Sequence, residues 1–86
     1  MKEKVKEQAK ILNALGHPAR LTIAQGLSRN ACNVNKIVAG LSLPQSTVSQ
    51  HLRVLRQAGV IRGERHGVKI CYQVVDAFAK QLLRLL

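Results

Sequence analysis

Eighty-six residues suffice for one domain and are too few for two cores. Fourteen Lys and Arg against four Asp and Glu give a formal charge of +10, a field that suits a polyanionic partner, nucleic acid before an anionic membrane surface. No run approaches the roughly 18 apolar residues of a membrane span, and the charged stretch from Met1 to Lys10 leads into no signal-peptide core, so a cytoplasmic, nucleoid-associated protein without membrane contact is expected.

Lys2 to Leu15 reads as a helix with Val5, Ala9, Leu12 and Leu15 on one stripe, widened by Ile11 and Ala14. Gly16-His17-Pro18 ends it, because a proline disfavours helical geometry at the residue before it and then suits a first helical position. The second helix runs from Pro18 to Leu27. Ser28 to Asn33 is polar and turn-like, with a short extended piece at Ala31 to Asn33. Asn33 or Asn35 caps a third helix through Ala39, stopped by Gly40.

Leu41 to Leu43 is a tight turn, and Pro44 opens the fourth helix. That helix has two incompatible faces. Val48, Leu52 and Leu55 form an apolar stripe at i, i+4 and i+7. The other side carries Ser46, Ser49, Gln50 and Arg53, whereas a merely solvated face usually carries the better helix formers Glu and Lys. Hydroxyl and amide groups suit base edges and phosphates, so this is read as a recognition helix.

After Gly59 the period changes to alternation. Val60 to Arg65 and Val68 to Val74 read as two strands joined at His66-Gly67, with Val68, Ile70, Tyr72 and Val74 on one face and Lys69, Cys71 and Gln73 on the other. Asp76 caps a last helix, Ala77 to Leu86, apolar almost all round. The expected fold is mainly α (α+β): a winged helix-turn-helix of five helices and a two-stranded β-wing, filling residues 1–86 as a single DNA-binding domain.

At this point the sequence resembles the ArsR/SmtB family of bacterial transcriptional repressors. Four segments carry the likeness, in order and at family spacing: Leu15 to Leu21 between the first two helices, Ser46 to Leu52 in the recognition helix, Leu55 to Ile61 at the helix-to-wing junction, and Arg65, Gly67, Tyr72 and Val74 in the wing. The resemblance implies a homodimer joined by its first and last helices, with paired recognition helices on a palindromic operator. Leu82, Leu83, Leu85 and Leu86 support that dimer independently, as an apolar end that soluble monomers avoid exposing. Val5, Ala9, Leu12, Phe78, Leu82, Leu83 and Leu86 are the expected interface; the alternative is that the last helix completes the monomer's core.

The expected DNA readers are Gln45, Ser46, Thr47, Ser49, Gln50 and Arg53. Gln pairs bidentately with adenine and Arg with guanine, each discriminating by about 1–3 kcal/mol. His51 lies between the two helix faces, open to packing or to DNA contact. Arg62, Arg65, His66 and Lys69 belong to the wing, where backbone or minor-groove contact is expected, against a merely solvated hairpin tip. His17 and Arg20 read as structural residues of the helix junction.

Many members of the family sense metal through a Cys-Val-Cys motif at the third helix, where this chain has Asn33-Val34-Asn35. Others use Asp and His on the last helix, where Asp76 matches a ligand but Phe78 replaces a His. No metal and no cofactor are expected, and the chain resembles the metal-independent branch. Cys32 and Cys71 are the candidates for a redox role, although alternation places Cys32 inward with Val34 and Cys71 outward opposite Tyr72, a phase that disfavours a disulfide. Two free thiols are the expectation. The family's thiol sensors place their cysteines in the second and last helices, where this chain has none.

The inventory holds no paired carboxylates, nucleophilic triad or glycine-rich phosphate loop, so an enzyme is not expected. Two alternatives to a sequence-specific repressor stay open: a nonspecific architectural DNA binder, and a winged helix used for protein–protein assembly.

Overall fold

The computed structural model describes residues 1–86. The order is α1 (Glu3–Leu15), α2 (Pro18–Arg29), α3 (Val34–Ala39), α4 (Gln45–Gln57), β1 (Ile61–His66), β2 (Lys69–Val74) and α5 (Ala77–Leu85). Helix α2 is the hub, packing against α1, α3, α4, α5 and β2. Ile23 and Ala24 of α2, Leu55 of α4, Val60 and Ala79 are completely buried at the centre of the core.

The α1–α2 corner is built from its own side chains. His17 Nδ1 accepts the Ala19 N–H at 3.1 Å, capping α2 with Pro18 at its first position. Arg20 Nε donates to the Ala14 carbonyl at 2.7 Å and Nη2 to Asn13 O at 3.4 Å. A guanidinium therefore satisfies carbonyls that the end of α1 leaves open. Helix α2 runs to Arg29, one half-turn beyond the expected end at Leu27. Asn33 occupies the cap position of α3 without a side-chain hydrogen bond. The turn into α4 passes through Ser42 at φ +54°, a left-handed non-glycine residue, and Pro44 stands as the cap rather than the first residue of α4.

Helix α4 ends in a Schellman motif. The Val60 N–H donates to Leu55 O and the Gly59 N–H to Arg56 O, both at 3.0 Å, with Gly59 at φ +84°. The apolar contact of that motif is Leu55 against Val60, so the chain leaves the recognition helix in one fixed direction. Strands β1 and β2 pair antiparallel from Ile61↔Val74 to His66↔Lys69. The two-residue turn is Gly67-Val68, one residue later than expected, because Gly67 supplies the positive φ at its first position (+64°). Val68 thus lies in the turn, fully exposed, instead of extending the inner face. Asp76 Oδ2 accepts the Ala79 N–H at 2.8 Å and starts α5 as expected.

Candidate nucleic-acid interface

On α4 the apolar stripe packs inward: Leu55 is fully buried, Val48 nearly so, and Leu52 half-buried. Gln45, Ser46, Ser49, Gln50 and Arg53 are exposed on the other side, so the expected readers stand free. Thr47 is half-buried and lines a hollow with His17, Pro18 and Thr22. The stripe continues to Gln57, exposed one turn beyond Arg53, and the neighbouring Arg56 is exposed as well. Gln57 stands at i+4 from Arg53, on the same exposed side of the helix.

His51 is not on the reading face. It is buried, its ring 4.5 Å from that of His17, and its Nδ1 lies 3.5 Å from Arg20 Nη1. Burial first, then the neighbouring His17 and Arg20 charges, hold its pKa below the ordinary value. In the neutral ring Nδ1 accepts from the guanidinium and Nε2 carries the proton. His51 therefore packs α4 against the α1–α2 corner, and His17 and Arg20 are the structural residues expected of them.

The wing exposes Arg62, Arg65, His66 and Lys69. His66 Nε2 and Glu64 Oε2, 3.6 Å apart at the surface, form the one contact between a basic side chain and a carboxylate. The Arg and Lys side chains are thus left without acidic partners, as a phosphate-facing surface requires. Gly63 faces Tyr72 across the hairpin, and a Cβ there would come within 2.9 Å of the ring. Tyr72 lies over that glycine and anchors the base of the wing.

Helices α3 and α4 and strand β2 enclose a cleft of about 850 Å³. Gln45 and Ser49 line one wall, His66 and Lys69 the other, and Val34, Val48 and Tyr72 contribute to its apolar lining. Helix α4 and the basic wing are thereby two sides of one opening.

The cysteines depart most from expectation. Cys32 is exposed and Cys71 buried, the reverse of the predicted phase, and the two form a disulfide instead of remaining free thiols. The predicted extended piece is absent. Cys32 adopts φ +68° in a turn, which breaks the alternation with Val34. Its N–H donates to the Tyr72 carbonyl at 3.1 Å, so the turn docks on β2 and covers Cys71. The Cα atoms stand 4.2 Å apart.

Away from the cleft, α1 leaves Val5 and Leu12 half exposed, and Ala9 is exposed beside them. Helix α5 leaves Leu85 and Leu86 largely exposed and Phe78 and Leu82 half-buried. Leu83 points the other way, into the core with Ala79, and is a residue of the monomer's interior rather than of an exposed interface. A helix apolar on nearly every side hides which side turns inward.

Comparison with known proteins places this geometry. The sequence profile of bacterial regulatory proteins of the arsR family matches residues 17–62. An HTH-type transcriptional regulator of Methanocaldococcus jannaschii, MJ1325, is 37% identical over 96% of this chain and 94% of its own length. The crystal structure of the transcriptional repressor PagR of Bacillus anthracis superposes with a TM-score of 0.83 at 36% identity, covering 95% of this chain and 94% of that one. HlyU from Vibrio cholerae superposes with a TM-score of 0.89 at 27% identity, covering 99% and 92%.

Proposed function

This chain belongs to the arsR family of bacterial regulatory proteins, and from that premise we propose that residues 1–86 act as one operator-binding unit that works as a homodimer. It is a DNA-binding transcriptional regulator with a winged helix-turn-helix fold, not an enzyme. Relatives that carry a stated role, PagR and the biofilm growth-associated repressor of Agrobacterium fabrum, are repressors, and repression is the reading adopted for this chain. No helix is long and apolar enough to cross a membrane.

The observation that carries the DNA reading is the shared cleft, with Gln45 and Ser49 on one wall and His66 and Lys69 on the other. Ser46, Ser49, Gln50 and Arg53 read bases in the major groove; Arg62, Arg65, His66 and Lys69 hold phosphates or the minor groove. Val5, Ala9, Leu12, Phe78, Leu82 and Leu86 form the dimer face. Only 17 of 86 residues are buried in the monomer, and covering α1 and α5 adds the burial that so small a domain lacks. Two copies set their recognition helices about 34–36 Å apart, one turn of duplex. The side chains around Asp76 do not gather three metal-ligating groups, and no metal has a role in this reading.

Fluorescence anisotropy with DNA from upstream of the protein's own gene and with a shuffled duplex, at two salt concentrations, tests this function. A preference of about a thousandfold, with one dimer per palindrome, is expected. Equal and salt-sensitive binding to both would replace it with an architectural role, and no binding to either with protein–protein assembly.

A further inference from the structure

Cys32 stands two residues before α3, the first helix of the helix-turn-helix unit, and Cys71 stands in the middle of β2. Their bond is the one covalent cross-link, beyond the main chain that runs from α4 into β1, between the helix-turn-helix unit and the wing. We propose that the pair is a reversible thiol–disulfide switch: oxidation by a low-molecular-weight disulfide pins the wing to the helix-turn-helix unit and tightens binding to duplex DNA. The output of the switch rests on the DNA-binding reading above; its chemistry does not.

Three observations carry it. First, the partners are brought together without the bond, because the Cys32 N–H holds the Tyr72 carbonyl at 3.1 Å. Reduced thiols therefore stay neighbours and can close again. Second, the pair is asymmetric and reachable. Cys32 is exposed, Cys71 is buried, and both line the cleft between α3, α4 and β2. A permanent staple needs no such access. Third, the wing is thinly held. Arg62 to Ile70 are all exposed, and the hairpin is anchored at Ile61, Cys71, Tyr72 and Val74. Breaking the cross-link leaves the arm that carries the basic residues held by the packing of these four side chains and by the Cys32–Tyr72 hydrogen bond alone. Proteins that read DNA also work where thiols are kept reduced, and disulfides in such places are usually transient or sensing.

The exchange balances. The Cys32 thiolate attacks one sulfur of the external disulfide RSSR, giving a Cys32–S–S–R mixed disulfide and releasing RS⁻. The Cys71 thiolate then attacks the Cys32 sulfur, closing the protein disulfide and releasing a second RS⁻. Two protein thiols are oxidised, one RSSR is reduced to two RSH, and the two thiol protons pass to the leaving thiolates. Reduction runs the same steps in reverse, starting at the exposed sulfur of Cys32.

The test uses the full chain equilibrated with oxidised glutathione or with dithiothreitol. Anisotropy should show the oxidised protein binding its upstream duplex about tenfold more tightly than the reduced protein, because a pre-positioned wing loses less freedom on binding. Cys32→Ser, a change at the exposed partner, should bind at the reduced level in both buffers. Amide hydrogen exchange of the free protein should show residues 61–74 exchanging several-fold more slowly after oxidation. Equal affinities, or tighter binding by the reduced protein, would overturn the proposal. Wing exchange that ignores redox state while DNA binding persists would also overturn it, and leave the DNA reading intact. Failure of both redox forms to bind any duplex would instead sink the DNA reading and the output of the switch with it.

Discussion

Arg20 and His51 meet where α2 crosses α4, with Nη1 and Nδ1 3.5 Å apart, while the same guanidinium donates to the Ala14 carbonyl at the end of α1. One side chain thus ties three helices, and the recognition helix is oriented through a histidine whose burial favours the neutral ring. The unfolded chain takes a proton at His51 near pH 6.5, and the folded chain at a lower pH because of burial, His17 and Arg20. Between those values the unfolded state binds more protons, so this residue's contribution is intact above about pH 6.5 and is lost as pH falls toward the folded value. Urea unfolding at pH 7.5 and pH 5 should show a smaller acid loss for His51→Gln than for the wild type. Parallel pH profiles would remove His51 from the account.

Gly59 holds φ +84° in the Schellman turn that aims the chain from Leu55 into the wing. Gly59→Ala should destabilise the fold by about 1–2 kcal/mol, since a Cβ is penalised in the left-handed region. Thermal melting reads this directly. The space around the position is open, so the loss is conformational and DNA affinity at low temperature should stay within a few-fold of wild type.

Reducing the disulfide should lower the melting temperature. The bond closes a loop with a sequence separation of 39, for which the chain-entropy relation gives about 4 kcal/mol. Calorimetry with and without dithiothreitol checks it, and Cys32→Ser should melt like the reduced wild type under both conditions. A melting temperature indifferent to reductant would contradict the pairing.

Leu12 on α1 and Leu86 at the end of α5 are exposed at 49% and 67%, so charging them spares the monomer's core. The double change Leu12→Glu and Leu86→Glu should convert the proposed dimer to a 9.5 kDa monomer in sedimentation velocity. Affinity for a palindromic duplex should fall by about a hundredfold, the loss of the second linked half-site. A variant that sediments as a dimer would move the interface elsewhere.

Much of this was legible in the sequence because the governing signals are local. The two faces of α4 follow from the i, i+4, i+7 spacing of Val48, Leu52 and Leu55, and the Asp76 cap and the Gly59 exit from residue types whose backbone role is nearly unique. His51 was ambiguous because it lies at the border of the stripe, where period 3.6 does not decide; its environment is made by His17 and Arg20, distant in sequence. The cysteine pair is hidden in the sequence for a different reason. Alternation assigns faces only in extended chain, and Cys32 sits at φ +68° in a turn. Its docking through the Tyr72 carbonyl is a nonlocal contact that no periodicity encodes. Leu83 escaped because α5 is apolar on both the core side and the opposite side.

The proposed function divides the labour between two elements, α4 for sequence and the wing for the DNA backbone. The most direct measurement compares Gln50→Ala and Lys69→Ala by anisotropy on cognate and shuffled duplexes across a salt series. Gln50→Ala should weaken cognate binding by about 1–3 kcal/mol and leave shuffled binding and the salt slope unchanged. Lys69→Ala should weaken both duplexes alike and reduce the salt slope by about one per protomer. Indistinguishable behaviour of the two variants would contradict the division.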